Sequence, residues 1–125
     1  MNTVDQFSKN KYLNLETFRK NGASMKTPVW FTQEGDTIYV RTVANSGKVK
    51  RIRNCGRVNI TPCKMNGAPT GAWVPANAKE ITDVKIAQKV DCLLDKKYGL
   101  MKKLFTDRAA REGWKDTILE IKLIN

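Results

Sequence analysis

Hydrophobic and polar residues alternate along the N-terminal third of the chain with the period of two that is typical of β-strands. Two such segments, Tyr12–Arg19 and Ser24–Thr32, flank Asn21–Gly22, a pair that tolerates the positive φ angles of a tight hairpin turn. A second turn at Glu34–Asp36 leads into another alternating segment, Thr37–Thr42. The pattern predicts three strands in an antiparallel meander.

After Thr42 the spacing of the apolar residues changes to that of a helix. Within residues 43–56, Val49 and Ile52 fall on one helical face, and Asn45 or Ser46 can cap the first turn. We therefore expect a short helix whose apolar side faces the core.

Two further strands are predicted after this helix. Arg57–Cys63 alternates again, and the turn at Asn66–Gly67 leads to a short apolar segment, Ala72–Val74. Pro75 follows directly and has no amide hydrogen to donate. We expect that strand to lie at an edge, to carry a bulge or to end early, and we expect it to extend the meander to five strands.

The last third of the chain predicts helices and then a strand. Apolar residues at helical spacing indicate two short helices broken at Gly99: Ile86, Val90, Leu93 and Leu94, then Tyr98, Met101, Leu104 and Phe105. Thr117–Ile124 alternates and predicts a sixth strand. Six antiparallel strands with short helices make a small, mainly β barrel, which we expect to form a single domain over residues 1–125.

The net charge of +11 is concentrated in one part of the sequence. From Thr37 to Lys79 there is no Asp or Glu, but there are eight Lys or Arg residues: Arg41, Lys48, Lys50, Arg51, Arg53, Arg57, Lys64 and Lys79. Such a one-sided segment favours an anionic partner: a phosphorylated cofactor, a nucleic acid or a polyanionic tail.

Other features of composition narrow the function. The chain has no histidine, which excludes Ser-His-Asp and Cys-His hydrolases and imidazole acid–base catalysis. Cys55, Cys63 and Cys92 form no C-x-x-C pair, so we expect small buried thiols and no metal site. No apolar run is long enough to cross a membrane, and the first ten residues are polar, so we expect a cytoplasmic protein.

The densest cluster of chemical groups spans Thr42–Arg53, where a strand ends and a helix begins. A helix start offers free backbone N–H groups and the positive end of the helix dipole, and Lys48 and Arg51 lie one turn apart. Gly47 allows an anion to approach the backbone closely. These residues predict a phosphate site, although the spacing is not that of a Walker loop.

Three short motifs carry a resemblance to a known family. The sequence reads T-P-V-W-F at 27–31, Y-V-R-T at 39–42 and S-G-K-V-K-R-I-R at 46–53. Over about residues 11–80 the chain resembles the pyridoxamine 5'-phosphate oxidase-like split β-barrel proteins, and in particular their small deazaflavin (coenzyme F-420)-dependent branch. The resemblance implies an oxidoreductase that transfers hydride between a flavin-type ring and an organic substrate of unknown identity.

The resemblance also implies which residues hold the cofactor. The strand residues Lys26, Thr27, Pro28, Val29 and Trp30 would line the ring, and Thr42, Ser46, Gly47, Lys48 and Arg51 would meet the phosphate. Lys50, Arg51 and Arg53 are assigned less securely, because side chains further along the helix can point away from the phosphate. The cofactor supplies the chemistry in such proteins, so no catalytic side chain is expected.

Some implications of the resemblance remain open between alternatives. The oxidases of the family present two adjacent cations in the phosphate loop, whereas here Gly47 precedes Lys48, which argues against a true pyridoxamine phosphate oxidase. FMN and F-420 both fit, and the long acid-free segment favours F-420 with its polyanionic tail. The family binds its cofactor between the subunits of a homodimer, which we expect here. Trp30, Trp73 and Trp114 are expected in the core or the interface rather than stacked on the ring.

Two other functions remain compatible with the sequence. The protein could bind a cofactor without turning it over, which only a turnover assay distinguishes. It could also be a nucleic-acid-binding barrel, but such barrels stack bases on aromatic side chains among their cations, and Thr42–Val58 contains no aromatic residue.

Overall fold

A computed structural model describes residues 6–7, 10–99 and 116–124, which form one antiparallel sheet and two α-helices. In chain order the elements are β1 (Tyr12–Phe18), β2 (Ser24–Trp30), β3 (Thr32–Glu34), β4 (Thr37–Val43), α1 (Gly47–Asn54), β5 (Arg57–Cys63), β6 (Val74–Ile81), α2 (Val84–Tyr98) and β7 (Asp116–Leu123). The prediction of a mainly β, antiparallel barrel with short helices is confirmed, with seven strands instead of six.

The first hairpin forms where the sequence predicted it. β1 and β2 pair antiparallel from Tyr12 opposite Trp30 to Phe18 opposite Ser24. Gly22 has a φ of 87°, a backbone conformation that glycine adopts readily and that is strained for residues with a Cβ atom. The turn chemistry therefore sets the register of this hairpin.

The order of the strands differs from the predicted meander. It is β2-β1-β5-β6-β7-β4-β3, so β2 and β3 lie at opposite ends of the sheet. Yet only Phe31 separates β2 from β3 in the sequence, and its side chain is fully buried. The two ends of the sheet must therefore meet at Phe31, which curls the sheet into a barrel. The meander was wrong because alternation reveals that a strand exists, not which strand it pairs with.

The strand predicted at Ala72–Val74 begins at Val74 and continues to Ile81. It lies between β5 and β7, so Pro75 neither places it at an edge nor ends it. Pro75 is the second residue of β6, and its carbonyl accepts a hydrogen bond from the backbone of Ile124 at 3.1 Å. The continuation was missed because its inward residues, Ala76 and Ala78, are small and weakly hydrophobic.

The inside of the barrel holds the main core. Its buried side chains come from five strands, α1 and two further positions: Leu13, Leu15, Ile38, Val40, Val58, Ile60, Ala76, Ala78, Leu119, Ile121, Val49, Ile52, Phe7 and Phe31. Val49 and Ile52 are the inward face of α1, as predicted from their spacing. Helix α1 is thus held against the barrel by the same hydrophobic effect that closes it.

Helix α2 covers the outer face of the sheet. Val90, Leu94 and Tyr98 pack there against Tyr39 of β4 and Ile118 of β7. The helix begins after Asp83, whose carboxylate accepts hydrogen bonds from the backbone N–H groups of the first turn, and it ends at Gly99 with a φ of 56°.

Other predictions for this part of the chain have mixed outcomes. The first predicted C-terminal helix is confirmed as α2, and the predicted last strand is confirmed as β7. The second helix, with Met101, Leu104 and Phe105, lies outside the described residues, as does Trp114.

The environments of the cysteines differ from those expected. Cys63 is buried, but Cys55 and Cys92 are exposed, so the expectation of three buried thiols was wrong for two of them. Cys55 is the C-cap residue of α1, shortly before β5 begins. Neither α1 nor α2 combines the length and the apolar composition that a membrane span requires.

Candidate functional site

The N-terminus of α1 is open to an anion. Ser46 is the N-cap residue, but its side chain makes no capping hydrogen bond. Its Oγ atom is buried and has no hydrogen-bond partner among the residues that the structure describes. The first turn of the helix contains no acidic residue. Free backbone N–H groups, the positive end of the dipole and an unused hydroxyl therefore coincide at one point.

Positive charge gathers beside this helix start without a compensating carboxylate. Burial, and then repulsion from Arg51, lower the pKa of Lys48. Burial, and then repulsion from Arg19, lower the pKa of Arg51. No carboxylate within the described ranges forms an ion pair with Lys48, Arg51 or Arg19. A bound anion would relieve both the repulsion and the cost of desolvation.

The side chain of Arg51 folds back toward the start of its own helix. Its Nε atom donates a hydrogen bond to Oγ1 of Thr17, 2.6 Å away. A Cβ atom on Gly47 would lie 2.8 Å from Nη1 of Arg51, closer than atoms of this kind approach. The guanidinium group therefore lies over Gly47, in space that any other residue at this position would fill.

Thr17 connects the helix start to the predicted ring-lining strand. It lies on β1 directly opposite Met25 of β2. On the same hairpin, Nη2 of Arg19 lies 3.6 Å from Sδ of Met25. Arg51 is thus brought to the end of the hairpin at which Met25 and its neighbour Lys26 lie.

Thr42 approaches the same helix start from β4. It is the second-last residue of that strand and lies opposite Thr117 of β7. A tight turn follows, in which the backbone N–H of Ser46 donates to the carbonyl of Val43 at 3.1 Å. Thr42 thus lies at the end of the strand that leads through this turn into α1.

Strand β2 offers the unpaired edge that the ring assignment needs. Among the described strands it pairs only with β1, so one side of its backbone has no sheet partner. Pro28 is tolerated on such an edge because no ladder hydrogen bond is lost. Lys26 and Pro28 are exposed, whereas Thr27 and Val29 are half-buried.

The tryptophans have separate roles beside β2. Trp30 stacks on Tyr98 of α2, with ring centroids 4.4 Å apart and planes 6° apart, and so packs against the helix as expected of a core residue. Trp73 is 37% exposed, and Nζ of Lys26 lies 5.5 Å from the centroid of its ring. The indole of Trp30 therefore packs against α2.

Part of the predicted positive patch is neutralised by the fold. Arg53 forms two hydrogen bonds of 2.9 Å with Glu80, so it does not contribute a free charge to the anion site. Lys79 lies 3.6 Å from Glu120. Glu80 and Glu120 come after the acid-free segment in the sequence, but the fold brings them next to cations of that segment. The free positive surface is therefore shorter than the segment Thr37–Lys79.

Like Arg53 and Lys79, Arg41 has carboxylate partners, but it lies between α2 and the sheet, in another part of the fold. It pairs with Asp91 of α2 and, at 2.7 Å, with Asp116 of β7. These three residues line a cavity of about 470 Å³ between α2 and the sheet. Its charged groups already compensate one another, so this cavity is not an anion site.

Thr17 and Arg19 were not found from the sequence. The signal for Thr17 was a polar residue at an inward position of β1, after Leu13 and Leu15; its side chain is 1% exposed. A buried hydroxyl needs a partner, and Arg51 supplies one. That partner is 34 residues away in the sequence, so the pair could not be recognised before the fold was known.

Comparisons with known proteins support the fold. No protein-family model matches the sequence, and no curated protein sequence matches it. The structure is similar to a candidate pyridoxamine 5'-phosphate oxidase from Listeria innocua, with a TM-score of 0.69 at 12% identity over 98% of this chain and 90% of that one. It is also similar to an F420 reductase, with a TM-score of 0.66 at 16% identity over 97% and 92%.

A third solved structure has the same fold, but the protein is named for a different function. The heme storage protein HutZ from Vibrio cholerae has a TM-score of 0.71 at 12% identity, over 97% of this chain and 87% of that one. The chain therefore has the split β-barrel fold of pyridoxamine 5'-phosphate oxidase-like proteins, as the resemblance predicted. Proteins of this fold differ in function, so the function of this chain has to be argued from its site.

Proposed function

We propose that this protein binds a phosphorylated flavin-type cofactor and acts as an oxidoreductase. The phosphate lies at the start of α1, where Ser46, Gly47, Lys48 and Arg51 contact it. Thr42 lies at the end of β4, before the tight turn that leads into α1. The observation that carries the proposal is the buried Oγ atom of Ser46, which has no partner in the described part of the chain and lies beside uncompensated cations. Buried polar groups without partners are uncommon in folded proteins, and a bound ion or ligand is one explanation for them.

The ring lies along β2, from Lys26 to Trp30, on the side of the strand that pairs with no other described strand. Unpaired backbone N–H and C=O groups on an edge strand can hydrogen-bond the polar rim of a planar heterocycle. The bound ring supplies the hydride chemistry. The chain binds and orients it, so that specificity comes from Thr27, Val29 and the neighbouring backbone rather than from an acid–base residue.

The similar structures support this class of function over others. One is named an F420 reductase and another a candidate pyridoxamine 5'-phosphate oxidase. HutZ is named for heme storage, but the site at α1 is suited to an anion and contains no histidine to ligate iron. FMN and F-420 both present a phosphate to it, and they differ in the tail beyond.

The choice between FMN and F-420 depends on how far the positive surface extends. Three cations of the acid-free segment, Arg41, Arg53 and Lys79, have carboxylate partners. Lys50, Arg57 and Lys64 have none within the described residues and are exposed. They are the residues left to bind a polyanionic tail. A cytoplasmic location stays a prediction.

We further propose that the protein is a homodimer. The free edge of β2 runs from an exposed Met25 toward Trp30, and Trp73 is exposed beside it. A ring laid along this edge would have one face uncovered by this chain. A second copy would cover that face and exclude water from the hydride transfer. Size-exclusion chromatography with light scattering, with and without cofactor, measures the subunit number; a monomer in both states contradicts this part.

Binding of each cofactor tests the proposal directly. Purified protein is titrated with FMN, F-420, riboflavin and heme, and fluorescence or absorbance is followed. We expect micromolar or tighter binding of FMN or F-420, and weaker binding of riboflavin because it lacks the phosphate. Absence of binding by both phosphorylated cofactors at micromolar concentration overturns the proposal, and preference for heme or for a labelled oligonucleotide replaces it. Turnover with a reduced cofactor then separates an enzyme from a protein that only holds its cofactor.

A further inference from the structure

The position of the guanidinium group of Arg51 is determined by two residues outside its own side chain. Thr17 accepts the hydrogen bond of Nε, at 2.6 Å, from the inner face of β1. Gly47 leaves open the space that Nη1 occupies, since a Cβ atom there would lie only 2.8 Å away. The side chain is therefore directed back to the first turn of α1, although Arg51 belongs to the second.

Holding Arg51 in this position costs free energy in the protein without a ligand. An arginine side chain loses considerable rotamer entropy when it is held in one conformation. Here it is also held near two other cations: burial, and then repulsion from Arg51, lower the pKa of Lys48, and burial, and then repulsion from Arg19, lower the pKa of Arg51. The hydrogen bond from the charged guanidinium to the neutral hydroxyl of Thr17 offsets such costs only in part, because it brings no opposite charge.

Nε is the one guanidinium nitrogen that Thr17 engages, and this determines what Arg51 can still bind. The Nη1 and Nη2 groups of Arg51 have no acceptor among the described residues, and they lie at the open start of α1. A guanidinium fork with two free nitrogens matches the geometry of a phosphate group.

We infer that Thr17 and Gly47 are positioning residues that hold Arg51 across the start of α1, so that Lys48 and Arg51 together bind one phosphate group. Arg51 then supplies from the second turn a cation that the residue before Lys48 does not supply. Thr17 acts through Arg51 and does not touch the ligand. This inference rests on the proposed function, because the phosphate is that of the proposed cofactor.

A double-mutant cycle tests the inference. Thr17→Val keeps the shape of the side chain and removes the hydroxyl, and Thr17→Ser retains the hydroxyl. Each is made with Arg51 present and with Arg51→Gln, and the Kd for whichever of FMN or F-420 binds is measured by fluorescence. Gly47→Ala is measured in parallel, since its methyl group would displace the guanidinium. Thermal unfolding followed by circular dichroism confirms that each variant is folded.

The inference predicts a specific pattern of affinities. Thr17→Val weakens binding about fivefold when Arg51 is present and less than twofold with Arg51→Gln. Gly47→Ala, whose methyl group also approaches the phosphate, loses less affinity with Arg51→Gln than with Arg51 present. Thr17→Ser restores affinity to within about twofold. Equal losses in both backgrounds, or no loss, overturn the inference while the cofactor still binds. If the unaltered protein binds neither cofactor, the proposed function fails and the inference fails with it.

Discussion

The hydroxyl group of Tyr98 lies 3.0 Å from the backbone nitrogen of Phe31 and 2.9 Å from its carbonyl oxygen. It also donates toward the carbonyl of Lys11, 2.6 Å away. Phe31 is the residue between β2 and β3, where neither strand satisfies its backbone groups. The last turn of α2 thus holds the point at which the two ends of the sheet meet, next to the stacked ring of Trp30.

Removal of this hydroxyl should destabilise the barrel. In Tyr98→Phe the buried N–H of Phe31 loses its acceptor, and we expect the free energy of unfolding to fall by about 1–3 kcal/mol. Urea unfolding followed by circular dichroism measures the loss. Tyr39→Phe is the matched control, because the hydroxyl of Tyr39 makes no hydrogen bond to the described residues. Equal effects of the two substitutions would contradict the role given to Tyr98.

Lys97 should make stability depend on pH. Its Nζ atom donates to the carbonyl of Phe31 at 3.0 Å, above the ring of the same residue, and burial lowers the pKa of Lys97 to about 8. In the unfolded chain this pKa is the ordinary 10.5. Between these values the unfolded state binds a proton that the folded state lacks, so the free energy of unfolding rises with pH.

The window for this measurement is about pH 8 to 9.5. At higher pH the tyrosine acts in the opposite direction, because burial raises the pKa of Tyr98 and the unfolded state loses its phenolic proton first. Lys97→Met keeps the apolar stem and removes the titrating group. We expect the unfolding free energy of the unaltered protein to rise relative to that of Lys97→Met across this window; parallel curves would show that Lys97 titrates normally.

Ser46 should matter for binding and not for folding. Its hydroxyl has no hydrogen-bond partner in the part of the chain that the structure describes, so we expect Ser46→Ala to change the unfolding free energy of the cofactor-free protein by less than about 0.5 kcal/mol. We expect the same substitution to weaken cofactor binding about fivefold. Asp83→Ala is the matched control, because Asp83 caps α2 with hydrogen bonds to Lys85 and Ile86, and its loss should cost about 1 kcal/mol without affecting binding. A large loss of stability in Ser46→Ala would indicate a structural cap instead.

Lys48 should contribute one charge to the phosphate site. We expect Lys48→Ala to weaken cofactor binding about tenfold by removing a charge-assisted contact, while riboflavin binding changes little. The control is Lys85→Ala, since Lys85 occupies the same second position in α2 that Lys48 occupies in α1. Unchanged affinity in Lys48→Ala, measured by fluorescence titration, would show that the phosphate lies elsewhere.

Several elements could be predicted because their signals are local. The Asn21–Gly22 turn requires a positive φ at Gly22, and Val49 and Ile52 lie one helical turn apart, so the first hairpin and α1 follow from neighbouring residues. The proposed anion site at Ser46 and Lys48 could be predicted for the same reason, because a helix start brings adjacent residues together whatever the rest of the fold does.

Tertiary structure alone decided the features that depend on distant partners. Phe31 separates two strands at opposite ends of the sheet, a relation that no local alternation encodes, and the alanines of β6 carried too weak a pattern to mark a central strand. The contact of Arg51 with Thr17 and the neutralisation of Arg53 by Glu80 likewise join residues far apart in the sequence. The sequence thus determined where positive charge is concentrated, whereas the fold decided which cations remain free to bind an anion, because only folding brings the carboxylates to their partners.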